Sequence, residues 1–277
     1  MMPRAVILGC GPAGLLAAHA AVTSGMFGEI DIYSRKIKST LYGAQYMHEY
    51  IPLLDMGDST EVDQKLIVGS AHDYAKKVYA ELYNPLAVNS ATAFDGVTLA
   101  WDIRYMYDEL WRRYSDLIAD LVVDGAAMAA LIDKLRQGGN THVFSTIPRN
   151  ATCIEPSHRF EFKYIWAAGE TVQRKLDGFD IPDNKILLNA GEAPRWYRLS
   201  QVFGMKTVEW PDSKQKPPVE GVAHVSKPLS TTCDCWMRES VHFLGRYGKW
   251  QKGVLAHTAY FETANIIHEL YKQGILV

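Results

Sequence analysis

The sequence predicts an α/β fold in which a parallel sheet is joined to a smaller unit of strands and helices. Three observations predict it. The chain opens on a βαβ pattern: the apolar run Arg4–Leu8, a glycine-rich turn, the Leu/Ala-rich stretch Leu15–Thr23, and a second strand-like run Glu29–Tyr33. From Phe160 the texture changes to short strand-like runs separated by turns. Finally, 277 residues with 48% hydrophobic and 22% charged side chains are enough for one large or two small globular units.

The elements follow in order. Residues 34–60 read as a loop, and 61–83 as helical. Asp102–Leu121 is a stronger helix, with Tyr105, Leu110, Leu117 and Leu121 expected on one face. Asp133–Gln137 ends a helix at Gly138-Gly139, and Thr141–Thr146 is a strand closed by Ile147-Pro148. Phe160–Ala168, Lys185–Asn189 and Lys206–Trp210 read as strands. Residues 211–228 hold four prolines and read as a linker or exposed loop. Val241–Leu244 is a last strand, and a final helix is expected over 253–271. Residues 1–58, 125–152 and 236–277 are expected to form one discontinuous unit around the opening motif, and 59–124 with 153–235 a substrate unit.

Composition removes several function classes. A net charge of −2, from 29 basic and 31 acidic residues, provides no global field for nucleic acid. Four cysteines are too few for a disulfide scaffold and point to a reducing compartment, the cytoplasm. No cleavage region follows the N-terminal apolar run, and no apolar run is long enough to span a membrane.

The turn after the first strand reads Gly9-x-Gly11-x-x-Gly14, placed between a strand and a helix, where the motif has a mechanism. Gly9 permits the tight turn. Gly11 lets backbone approach a pyrophosphate met by the helix N-terminus, and Gly14 lets helix and strand lie close. Dinucleotide sites of this Rossmann type carry an acid at the end of the second strand. Here Ser34 stands there, followed by Arg35 and Lys36. Basic residues would favour a 2′-phosphate and hence NADP. Alternatively Ser34 and backbone would hold the adenosine of FAD, or the run is a solvated loop.

Residues 6–21, VILGCGPAGLLAAHAA, resemble FAD-binding oxidoreductases of the glutathione-reductase type, in which Pro12-Ala13 inside the glycine motif is typical. His142–Pro148 is similar to the strand that re-enters the FAD domain of amine oxidases and UDP-galactopyranose mutases. Ile186–Asn189, followed by Trp196-Tyr197-Arg198, is similar to the mutase segment that brings a tyrosine and an arginine to the substrate. Val241–Gly248 is similar to the C-terminal strand and Gly-Arg turn that meets the cofactor in these enzymes. The compact length and Gly43-Ala44-Gln45-x-x-His48 are similar to phage-encoded FAD-dependent oxidoreductases, some of which act on amino-modified thymidine in DNA.

The resemblance implies an FAD-binding Rossmann-type domain with FAD as cofactor. It places Gly9, Gly11, Pro12, Ala13, Gly14, Ser34, Arg35, Gln45, Gly245, Arg246, Gly248 and Trp250 at the cofactor. The last helix, starting just after Gly248, would point its N-terminus at the flavin. His48, Tyr197 and Arg198 are the expected catalytic residues. His48 would orient substrate or move a proton. Arg198 would pair with a carboxylate or phosphate. Trp196 would wall the pocket, and His257 is as readily a packed helix residue as a site residue. The implied activity is oxidation of an amine or amino-acid-like group, on a small molecule or a nucleotide, with DNA entering only as carrier of a modified base. A redox-neutral mutase-like flavoenzyme and a non-catalytic nucleotide-binding protein are the alternatives.

No metal is expected. Cys233-Asp234-Cys235 has C-x-C spacing, and Cys153 and His158 lie far upstream, unlike the paired C-x₂₋₄-C of zinc sites. A G-x-S-x-G elbow and a P-loop are both absent from the sequence.

Overall fold

The computed structural model describes residues 2–79, 95–137 (of 135–137 the backbone alone), 140–168, 180–212, 216–217, 219–237 and 241–276. Two sheets organise it. The first is five-stranded and parallel: β1 (Arg4–Leu8), β2 (Glu29–Ser34), β5 (Ile118–Asp120), β6 (Thr141–Ser145) and β12 (Val241–Phe243). They lie in the order β12-β6-β1-β2-β5. The central strand β1 runs Ala5 to Leu8 without exposure, as expected of a strand covered on both faces. β1 pairs with β2 on one side and β6 on the other, so the chain reverses direction of travel across the sheet at the end of β1. Ligands of open α/β sheets sit at such a point.

Helix α1 (Pro12–Ser24) follows β1 and is buried continuously from Gly14 to Ala21. It packs against α3 (Ile103–Tyr114) and α7 (Thr258–Lys272). Its alanines allow that closeness. His19, fully buried in this helix, joins three elements. Its Nε2 lies 3.1 Å from the Pro52 carbonyl, which can only accept, so Nε2 carries the proton. The bare Nδ1 then accepts from the Tyr114 hydroxyl at 2.7 Å.

The second sheet has seven strands, in the order β11-β7-β10-β9-β8-β3-β4. They are β3 (Thr60–Val68), β4 (Gly96–Ala100), β7 (Phe160–Ala167), β8 (Lys185–Asn189), β9 (Arg198–Val202), β10 (Met205–Pro211) and β11 (Ala223–Thr231). All pairs are antiparallel except β3 with β8. One face packs on α2 (Ala71–Tyr79) through Val62, Tyr74, Val78, Ile165 and Leu188. The other buries Trp196, Leu199, Val208 and Trp210. Two short helices, α5 (Arg149–Thr152) and α6 (Gly245–Lys249), and α4 (Gly125–Gln137) complete the structure.

Several expectations are corrected. Residues 61–83 are not one helix. Thr60–Val68 is a strand, and Gly69-Ser70 ends it. Ser70 then caps α2: its hydroxyl and Asp73 exchange hydrogen bonds, Asp73 N to Ser70 Oγ at 3.2 Å and Ser70 N to Asp73 Oδ2 at 3.1 Å. Residues 80–83 lie outside the described residues, as do Gly138 and Gly139. The helix expected over 102–121 stops at Tyr114, and a 3₁₀ turn (Ser115–Leu117) leads into β5. Its buried face is Ile103, Met106, Tyr107, Leu110 and Tyr114; Tyr105, Leu117 and Leu121 are exposed. β5 pairs with β2 and α3 packs on α1, so this stretch lies with the parallel sheet. The Pro-rich stretch 211–228 holds the first six of the nine residues of β11. The final helix starts at Thr258, ten residues beyond Gly248, which itself lies in the short helix α6.

Candidate functional site

The glycine turn caps the carboxyl end of β1. Gly9 has φ 104°, and a Cβ there would lie 2.5 Å from Thr146 Oγ1. A Cβ on Gly14 would overlap the Gly9 carbonyl. Both glycines are therefore demanded by the chain itself. Gly11 is different: its φ of −68° suits any residue, and a Cβ would meet only Ser39 Oγ at 3.5 Å. Gly11 also caps α1, which has Pro12 in its first turn, no side-chain cap and no acidic residue. The start of α1 thus offers uncapped N–H groups at the positive end of the helix dipole.

The turn is braced by Tyr107 of α3. Its buried hydroxyl donates to the Cys10 carbonyl at 2.8 Å and accepts from Ser39 N at 3.0 Å. Cys10 Sγ lies 3.2 Å from the Arg35 carbonyl, and Gly9 N donates to the Tyr33 carbonyl at 2.9 Å. Ser34 and the exposed Arg35 thus stand beside the turn, at the end of β2.

α6 closes the other side. A Cβ on Gly245 would lie 2.9 Å from Ala13 Cβ, and one on Gly248 would lie 2.5 Å from the Ser145 carbonyl. Between them Arg246 reaches away from the turn, to the Pro228 carbonyl of β11 at 3.4 Å. It joins a buried polar cluster on the second sheet.

That cluster is centred on Glu209 of β10, which is 1% exposed. Tyr197 donates its hydroxyl to Glu209 Oε2. Arg198 Nη1 lies 3.2 Å from Oε1, and Lys227 Nζ 3.0 Å from Oε2. Burial alone would raise the Glu209 carboxyl; Arg198 and Lys227 outweigh it and hold it well below the usual carboxylate range. Lys163 sits directly opposite Lys227 across β7 and β11. Its ammonium has a carbonyl, Val78 O at 3.4 Å, and the Tyr79 ring at 4.0 Å, and burial with the Lys227 charge pulls it well below its ordinary value. Burial also lowers Lys227 and Arg246, and pushes the Tyr74 phenol up to about 12. Four basic side chains thus surround one carboxylate, and among the described residues the Nε atoms of Arg198 and Arg246 are buried without a partner. Their positive charge is costly in burial unless an anion joins them or a lysine gives up its proton.

The loop 41–46 lies over this cluster. Gly43 (φ 77°) donates its N–H to the Ala168 carbonyl at 3.0 Å, and a side chain there would strike Glu209. Beyond it a cleft is lined by Ala44, Gln45, Arg104, Ser200 and Thr207.

No family profile matches the sequence, and no curated protein matches it. Solved structures do. The crystal structure of reduced UDP-galactopyranose mutase aligns over 99% of this chain and 94% of its own, with a TM-score of 0.55 at 10% identity. BrvH, a flavin-dependent halogenase from Brevundimonas sp. BAL3, aligns over 98% of this chain and 72% of its own, with a TM-score of 0.51 at 12% identity. The chain shares their fold.

The residues named from the sequence fall into three places. Gly9, Gly11, Pro12, Ala13, Gly14, Gly245 and Gly248 converge at the turn, with Ser34 and Arg35 alongside. Tyr197, Arg198 and Arg246 meet at Glu209. His48 stands at the edge of the 41–46 loop, its ring 4.5 Å from Tyr46 and 5.9 Å from His257. Gln45 donates to the Tyr42 carbonyl at 2.8 Å and lines the cleft. The two tryptophans are packing residues. Trp196 belongs to the far face of the second sheet, not to a pocket wall. Trp250 donates to the Glu161 carbonyl at 3.0 Å and meets Phe160 and Phe162 edge-on. Sequence reasoning passed over Glu209, Lys163, Lys227, Tyr74 and Tyr107. The alternation Glu161-Lys163-Ile165-Ala167 against Phe160-Phe162-Tyr164-Trp166 is one signal it left unused: a lysine on the same face of the strand as the apolar Ile165 and Ala167.

Proposed function

We propose that this chain is a flavin-dependent oxidoreductase that holds FAD at the Gly9–Gly14 turn and oxidises an amine or amino-acid-like group of an anionic substrate. The observation that carries the reading is Gly11. Its backbone is ordinary and a Cβ would meet only Ser39 Oγ at ordinary contact distance, so its lack of a side chain answers to something that must approach the uncapped start of α1. A pyrophosphate has the charge and the reach for that place. Ser34 and the backbone at Arg35 would meet the adenosine.

When bound, a flavin supplies the capacity to accept a hydride. The chain's own residues bind and orient. Arg198, with Lys163 and Lys227 beside it, would anchor a carboxylate or phosphate. Glu209 keeps the arginine in place, and Gly43 keeps the covering loop close enough to exclude water. His48 stays neutral near pH 7, because burial and then His257 lower it, and so can accept a proton.

The cation excess also suits the diphosphate of a nucleotide sugar, which favours the redox-neutral, mutase-like reading as the second candidate. One series of experiments separates them. The purified chain should show a flavin absorbance spectrum and release FAD on denaturation. Amines, amino acids and amino-modified nucleosides are then added without oxygen, and bleaching by one class identifies the substrate. If none bleaches it, while dithionite-reduced protein isomerises a nucleotide sugar, the mutase-like reading replaces the first. A colourless protein that binds NADPH removes both.

A further inference from the structure

We propose a structural zinc site, formed by Cys153, His158, Cys233 and Cys235, that ties the parallel sheet to the second sheet. The four candidate ligand atoms all lie within 4.8 Å of one another. Cys153 Sγ and Cys235 Sγ are 3.8 Å apart. His158 Nδ1 lies 3.4 Å from Cys153 Sγ and 3.5 Å from Cys235 Sγ. With Zn–S bonds near 2.3 Å and Zn–N bonds near 2.0–2.1 Å, a tetrahedron has edges of roughly 3.8 Å between sulfurs and roughly 3.6 Å between sulfur and nitrogen. The three edges among Cys153, His158 and Cys235 are those of a ligand shell around one small ion, and Cys233 Sγ completes the set within 4.8 Å.

The histidine is set for the task. Its other nitrogen, Nε2, lies 3.3 Å from Asp234 Oδ1. A proton held there leaves Nδ1 with a free lone pair turned to the thiols. This is the carboxylate–histidine–metal arrangement of zinc proteins. The short Cys233-Asp234-Cys235 motif therefore supplies two thiolates and the outer carboxylate together. C-x-C spacing argues against metal only when the second pair is sought nearby in sequence.

Two separate attachments assemble the site. Past the ends of β7 and β11, Thr232 N donates to the Arg159 carbonyl at 3.1 Å and Arg159 N to Thr232 Oγ1 at 2.9 Å, which brings His158 opposite Cys233. Trp236 Nε1 donates to the Thr152 carbonyl at 2.8 Å, which holds Cys235 against the end of α5 and its neighbour Cys153. Charge agrees as well. Three thiolates, a neutral imidazole and a divalent ion leave one net negative charge. Arg149, 5% exposed, lies beside Cys233, and its Nη2 reaches the Cys235 carbonyl at 3.5 Å. No carboxylate is paired with it among the described residues. Four protein ligands leave no open position, so the ion is structural rather than catalytic. It would link the segment after β6 to the ends of β7 and β11.

The full-length chain, purified without chelators, should contain one zinc per chain by elemental mass spectrometry, whether or not flavin is bound. Organomercurial titration of the thiols should release it to a colorimetric chelator. The stripped, reduced chain should take up cobalt with the intense visible bands of tetrahedral thiolate coordination. The double variant Cys233→Ser/Cys235→Ser should lose the metal. Because that variant risks misfolding, Asp234→Asn is the second arm: it should keep fold and stoichiometry while metal affinity, measured against a competing chelator, falls about 10- to 100-fold. A reduced chain with neither stoichiometric zinc nor the cobalt spectrum overturns the proposal. So do a Cys153–Cys235 disulfide in the protein as purified, zinc retained by the double variant, and unchanged affinity in Asp234→Asn.

Discussion

Gly11 and Gly14 stand three residues apart and answer to different partners. Gly14 is a packing residue: its missing side chain lets α1 lie on the Gly9 carbonyl. Gly11 packs against nothing that a methyl group would disturb. Gly14→Ala is therefore expected to destabilise the chain by about 1–3 kcal/mol through overpacking. Gly11→Val should cost the cofactor-free protein about 0.5–1.5 kcal/mol, the loss of a favourable helix-capping residue, yet lose FAD. Urea midpoints of the flavin-free proteins and FAD per chain measure the two effects separately. Full flavin occupancy in Gly11→Val would sink the assignment of this turn to the cofactor. The sequence motif already gives the three glycines different roles; the structure adds what surrounds each, Thr146 at Gly9 and Gly14 and Ser39 at Gly11.

At the level of the element, the second sheet matters through one face. β7, β9, β10 and β11 each contribute a charge: Lys163, Arg198, Glu209 and Lys227. Two lysines directly opposite each other on neighbouring strands disfavour each other's charge, and Glu209 offers one negative charge to four basic side chains. An anionic ligand group would complete the face. Arg198→Lys keeps a cation beside Glu209 but cannot form a two-pronged hydrogen bond. Losing one charge-assisted bond costs about 1.5–3 kcal/mol. We expect kcat/KM for the substrate found by flavin bleaching to fall about 10- to 100-fold, with FAD content and melting temperature kept. If instead the variant melts earlier at unchanged kcat/KM, Arg198 serves only the Glu209 ion pair. None of this was legible from Trp196-Tyr197-Arg198 alone, because the partners come from strands 11 to 35 residues away along the chain.

For the whole molecule, histidine burial sets the response to pH. Burial lowers His19, His48, His142 and His257 from the ordinary 6.5, and His242, stacked on His142, falls to about 4. His48 and His257, ring centres 5.9 Å apart, would repel once charged. A depressed histidine binds fewer protons folded than unfolded, so unfolding free energy rises with pH in that window. Stability should be nearly constant between pH 7 and 8 on this account and fall as pH drops from about 6.5 towards 4. Urea midpoints at pH 8, 7, 6 and 5 provide the check, and a flat line from 7 to 5 contradicts the structure's burial of these rings.

The sequence by itself determined the βαβ start, the glycine turn, the parallel strand Thr141–Ser145 and the change to a strand-rich region after Phe160. These are local: each is written in a contiguous run whose periodicity and turn residues need no partner. It misread 61–83 because a half-buried strand followed by a short helix imitates one long amphipathic helix until β4 and β8 pair with the strand. Only the tertiary structure decided which charges meet at Glu209, that Gly11 is free while Gly9 and Gly14 are not, and that Cys153 and His158 come to Cys233 and Cys235. Those facts depend on strand pairing between segments far apart in the chain, and a side chain's chemistry is set by what that pairing places within a few ångströms of it.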